Sequence, residues 1–133
     1  MALIRQFVGV VAFAVLAGCS QASVYDQPIP DADDANSLLK IRDGIKPEDR
    51  DAWQAITMAK MNPMAKKIDA KSVGEAIQRF KARSACMEEH STSKVPGNTL
   101  PFNDPGYGAA NEKHIKAYNA EVAAYNACIK MPI

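Results

Sequence analysis

The apolar run Phe7 to Leu16, with Arg5 ahead of it and Ala17-Gly18 behind, withdraws the most hydrophobic stretch of this 133-residue chain from any folded core. A positive start, a short apolar run and a small-residue exit are the pattern of an exported leader, 1–18, that is removed. A helix crossing the hydrocarbon core needs about 20 apolar residues, and the run supplies about half of that before Ser20 and Gln21 end it. The remainder has room for one domain with a limited core. Of the 16 Lys and Arg only Arg5 precedes Cys19, which leaves 15 basic residues to balance 15 acidic ones. A mature part without net charge carries no electrostatic footprint for nucleic acid or anionic lipid.

Leu16-Ala17-Gly18-Cys19 resembles, at all four positions, the lipobox of bacterial lipoproteins. The resemblance implies cleavage before Cys19, diacylglycerol on its thiol and a membrane anchor through that lipid. Ser20 stands where Asp would resemble an inner-membrane retention signal, which implies the outer membrane, facing the periplasm. At about 0.8 kcal/mol per buried methylene, two or three acyl chains hold such a protein permanently. The other reading of the leader is an ordinary secretory signal. It would leave three cysteines, one of them unpaired, in an oxidising compartment, whereas lipid on Cys19 leaves Cys86 and Cys128 as an even pair.

Residues 19–33 are polar, with Pro28 and Pro30 opposing regular structure and aspartates gathering toward Asp34, so they read as a flexible tether. The domain then spans 34–133. Its first helix starts at Asp33 or Asp34, runs through Leu38 and Leu39, and stops at Gly44, where a left-handed residue costs little. A second opens with Pro47, Glu48 and Asp49 in its first turn, and its stripe Ala52, Trp53, Ile56 and Ala59 ends before Asn62-Pro63. The short turn between them predicts an antiparallel hairpin. Ser72-Val73-Gly74-Glu75 fits a capping box for a third helix with Val73, Ile77, Phe80, Ser84 and Met87 on one side. A fourth, about Ala110 to Lys130, carries Ile115, Tyr118, Val122, Tyr125 and Ile129 as a seam.

At 100° per residue both Cys86 and Cys128 fall on the flanks of these stripes, displaced in the same sense, so a bridge can join the last two helices near the rim of the bundle. Closing a loop of about 43 residues contributes about 4 kcal/mol on a chain-entropy estimate. The expected fold is therefore all-α, a small bundle of three to four helices stapled by Cys86–Cys128.

Residues 91–108 contain three prolines and three glycines, too many for a helix and too long for an ordinary connection. The segment is either a recognition loop or a connector, and Leu100, Phe102 and Tyr107 are able to pin it to the helices. Met58, Met61 and Met64 are spaced by three. Thioethers bind Cu(I) or Ag(I), yet methionine more often fills gaps in a core, and the core is the expectation. His90 and His114 flank the loop, with Glu88, Glu89 and Glu112 as oxygen ligands should the imidazoles meet; paired surface histidines are the plainer expectation. No nucleophile, base or Gly-rich loop stands at a spacing that nominates a catalytic residue, and no cofactor is implied.

The run SLLKIRDGIKPEDRDAWQAI at 37–56, followed by KKIDAKSVGEAI at 66–77, resembles a group of short proteobacterial lipoproteins carrying a domain of unknown function. That resemblance implies location and helicity and no activity. The functional expectation is a non-enzymatic, lipid-anchored envelope protein that binds another protein or the cell-wall layer through the 91–108 loop and the bundle surface, with soft-metal binding through Met58, Met61 and Met64 as the alternative.

Overall fold

The computed structural model describes residues 23–62, 64 and 68–133; the expected leader 1–18, the expected lipidation position Cys19 and the head of the expected tether lie outside the described residues. Four α-helices appear among them: α1 (Ala35–Gly44), α2 (Arg50–Met61), α3 (Val73–Glu89) and α4 (Tyr107–Ile129). Single 3-10 turns occur at Val24–Asp26, Pro47–Asp49 and Thr92–Lys94. No strand occurs among the described residues, and the chain is all-α as its periodicity predicts. No described helix is long and apolar enough to cross a membrane.

Local chemistry sets the helix ends. Asp34 caps α1 by accepting the Ser37 N–H at 3.1 Å, which also holds its carboxyl below the usual range. Ser72 caps α3 by accepting the Glu75 N–H at 3.2 Å, while the Glu75 carboxylate reaches back to the Lys71 N–H at 2.7 Å and forward to Arg79 at 2.6 Å. Gly44 departs from its expected role. No described glycine has a positive φ, and the extended residue Ile45 ends α1. What Gly44 provides is space, since a Cβ there would stand 2.6 Å from Val24 Cγ1.

The core lies where α1, α2 and the first half of α3 converge. Leu38, Ile41, Trp53, Ile56, Val73 and Ile77 are all under 5% exposed, each contributing about 1.5–3 kcal/mol by leaving water. Trp53 Nε1–H donates to the Leu38 carbonyl at 3.3 Å, so the indole is buried without an orphaned donor. Ile133 closes one side of this core, its backbone oxygen accepting from Asp69 and Ala70.

Part of the expected tether belongs to the domain. Val24, Tyr25 and Ile29 pack against the core, the Val73 N–H donates to the Gln27 carbonyl at 2.9 Å, and Lys60 Nζ reaches the Ile29 carbonyl at 3.4 Å. Pro28 and Pro30 prevent a helix here without preventing an extended strap from docking. Gly74 has the same use as Gly44, lying so close beneath the strap that a Cβ would approach the Tyr25 carbonyl oxygen to 3.1 Å.

The strap is fastened by a polar clamp. The Tyr25 hydroxyl accepts from the Lys46 N–H at 2.9 Å and donates to the Asp49 carboxylate at 2.7 Å. Asp49, only 7% exposed, also accepts from Lys81 Nζ of α3. Asp49 was expected to serve the first turn of the second helix, and it turns inward to this clamp instead, making no side-chain cap bond to α2. The Lys81 ammonium and the Tyr25 hydroxyl hold the Asp49 carboxyl below its ordinary range, burial pushes the Tyr25 phenol up, and Asp49 raises Lys81.

Asp49→Asn is expected to lower the unfolding free energy by about 1.5–3 kcal/mol at pH 7, toward the lower figure because Lys81 is half exposed. A depressed carboxyl contributes stability above its unfolded value of about 4, and that contribution fades as pH falls through the folded value. Raised Lys81 keeps its share through neutrality and loses it only in alkali. Urea titrations of the two proteins from about pH 3 to pH 9 should separate most near neutrality and converge in acid. A gap independent of pH would remove the charged clamp.

Candidate functional site

The α1–α2 hairpin has two faces, and among the described residues only one of them is covered. Ile41 and Ile56 belong to the buried cluster that includes Val73 and Ile77 of α3, whereas Ala35, Leu38, Leu39 and Arg42 of α1 face Arg50, Trp53, Gln54, Thr57, Met58 and Met61 of α2 across an open groove of about 590 Å³. Spacings of three and four along both helices place these residues on facing stripes. Leu38 and Trp53 form the buried floor, and Leu39, Met58 and Met61 the exposed apolar walls. Arg42, Arg50 and Gln54 stand on the rim with one carboxylate, Asp51.

This placement corrects the expectation that the methionines fill the core. Met58 and Met61 are 63% and 53% exposed, and Met64 is 93% exposed. Periodicity puts Met58 and Met61 beside Trp53 on the helix surface, but it does not reveal that no further helix among the described residues covers that side. Met64 lies past the end of α2 and is not part of the groove wall.

The segment 91–106 runs along α4 and is tied to it. His114 Nδ1 donates to the Pro96 carbonyl at 2.7 Å, Asn98 Nδ2 donates to the Tyr107 carbonyl at 3.4 Å, and the Phe102 ring meets the edge of Tyr107 at 5.2 Å between centroids. Phe102 nevertheless remains 86% exposed. The two histidines do not form a joint site: His114 bonds this segment, while His90 pairs at 2.9 Å with Glu121 of α4, in place of Glu88, Glu89 or Glu112.

Helix α4 is turned partly away from its expected seam. Ile115, Tyr118 and Ile129 are 49%, 43% and 39% exposed, and Cys128, at 2%, is the helix's single buried residue. The covered face keeps Val122 and Tyr125 of the seam half-buried and takes in the seven-residue line Tyr107, His114, Glu121 and Cys128, whose centre is rotated by about 70° from that of the seam at 100° per residue. Covalent and polar bonding to α3 and to the 91–106 segment sets this rotation in place of apolar burial. Cys86 and Cys128 form the expected disulfide, with Cα atoms 5.7 Å apart, and it lies inside the α3–α4 contact. One turn further, at the C-cap of α3, His90 brings an imidazole nitrogen within 4.8 Å of both sulfurs. The signal was available as Cys86 and His90 four apart on one helix and Glu121 and Cys128 seven apart on the other.

With so little burial along α4, the bridge carries much of its attachment. Replacing both Cys86 and Cys128 by Ser is expected to lower stability by up to about 4 kcal/mol. Hydrogen exchange read residue by residue should show α4 amides losing protection while those of α1 and α2 keep theirs. Equal loss in all four helices would mean that α4 is integral to the core.

No family profile, no curated protein and no solved structure matches the chain.

Proposed function

We propose that the protein is a non-enzymatic envelope lipoprotein, anchored through lipid on Cys19, that binds a partner protein in the α1–α2 groove. The observation that carries this reading is the groove itself: Leu39, Met58 and Met61 exposed above a Trp53 floor. Flexible thioether side chains adapt to apolar partners, and methionine-lined grooves suit amphipathic helices. Arg42 and Arg50 make no ion pair among the described residues, so the rim favours a helix that is acidic beside its apolar face. The anchor is supported by the Leu16-Ala17-Gly18-Cys19 motif and by the even cysteine pair that lipid on Cys19 leaves behind. The outer membrane, facing the periplasm, is the location we propose from Ser20.

Two experiments test the two halves. Cys19→Ala is expected to abolish palmitate labelling and the usual processing; persistent labelling would refute the anchor. For the groove, a photoreactive residue in place of Gln54 should crosslink to a discrete partner in intact cells. Met58→Asp with Met61→Asp should reduce that product roughly tenfold or more without changing the melting temperature, since both side chains are exposed. Deleting residues 93–106 should leave it in place. Crosslinking that survives the aspartates, depends on 93–106 or goes to lipid would overturn the groove as the protein-binding site.

A further inference from the structure

Helices α3 and α4 bring two sulfurs, one imidazole and one carboxylate to a single point. His90 caps the C-terminus of α3 four residues after Cys86, its N–H donating to the Cys86 carbonyl, so the two lie on one side, and Cys128 sits opposite them on α4. The two sulfur atoms and one imidazole nitrogen all lie within 4.8 Å of one another. Glu121, two turns before Cys128, bonds His90 Nδ1 at 2.9 Å. A carboxylate on Nδ1 fixes the tautomer, orients the ring and leaves the Nε2 lone pair for a ligand, which is the arrangement found behind metal-binding histidines. A disulfide alone requires neither the imidazole nor the carboxylate.

We propose that Cys86, His90 and Cys128, with Glu121 behind the imidazole, form a site for one d10 cation, Zn²⁺ or Cu(I), when the disulfide is reduced. Two thiolates and an imidazole suit both ions, three protein ligands leaving a fourth position open on Zn²⁺. Bond lengths of about 2.3 Å to sulfur and about 2.0 Å to nitrogen put neighbouring ligand atoms roughly 3.5–4 Å apart in a tetrahedron, so small side-chain movements within the present cluster suffice. A dithiol supplies the two electrons and two protons that convert the bridge to two thiols, and itself becomes a disulfide. Binding of Zn²⁺ then releases both thiol protons, each thiolate donating an electron pair to the ion. The same two helices stay joined, through metal in place of sulfur. Cys86 is half-buried, which leaves the bridge open to a reductant from one side, while Cys128 is enclosed.

The test uses the full chain in detergent with Cys19→Ala, so that Cys86 and Cys128 are its only thiols. After reduction with a phosphine under argon, the protein is incubated with Zn²⁺ or Cu(I), passed over a desalting column and assayed for retained metal. Retention of one equivalent of either ion by the reduced chain, and of none by the disulfide form, is expected. Cys128→Ser should abolish retention, Glu121→Gln should weaken affinity roughly 10- to 100-fold with both thiols intact, and Met61→Leu should change nothing. Circular dichroism of each variant separates loss of ligand from loss of fold. The two metal arms decide which ion is held. Absence of metal on a folded, reduced chain, equal retention by the oxidised form, or retention that follows Met61 instead of Cys128 would overturn the proposal.

Discussion

Cys128 is the one fully buried side chain of α4, and what it is buried against is Cys86. Along a helix of 23 residues the other covered positions are partly exposed, and several are polar. Apolar burial supplies most of the free energy in a small domain, so a helix with this little of it rests on other bonds. The disulfide, the His90–Glu121 pair and the His114 bond to Pro96 lie along one edge of α4 and set its rotation together. The remainder of the molecule has the usual economy, with three helices and a strap closing over Trp53, Ile56 and Val73. Two modes of attachment therefore coexist, one by hydrophobic contact and one by specific bonds.

The parts of this fold legible in the sequence are those decided within a few residues. Asp34 and Ser72 mark helix starts because their side chains reach backbone donors three positions away, and Leu38, Ile41, Trp53 and Ile56 announce their burial through helical spacing. The disulfide was legible by counting. Less legible were features made by distant pieces. Tyr25 finds its receptors 21 and 24 residues onward, and no local signal separates a strap from a tether when both are rich in proline and aspartate. Gly44 looks like a helix terminator in one dimension and becomes a space for Val24 in three.

The two largest differences share a physical origin. A periodic apolar stripe reports that a helix has a side suited to burial, but not that a partner exists to bury it. Met58 and Met61 are exposed because no described helix lies over that side of the hairpin, and Ile115 and Tyr118 because specific bonding turned α4. Such uncovered stripes are informative in a chain this short. An apolar surface that folding leaves open is available for association, and the α1–α2 groove differs from the outer face of α4 in having walls, a floor and a charged rim.

The docked strap also alters the mechanics of anchoring. With lipid on Cys19, as proposed, only four peptide links separate the acylated residue from Ser23, where the described strap begins. Fully extended they span roughly 13 Å, against headgroup layers about 5–8 Å thick on each side of a bilayer. The Val24–Asp26 turn would then ride at the membrane surface, and everything it fastens, Gly44, Gly74 and Asp49 among them, would sit nearest the lipid. A leash would become a mount: so anchored, the domain could not sweep a wide volume for partners, and whatever it bound would have to approach within about one domain diameter of the bilayer.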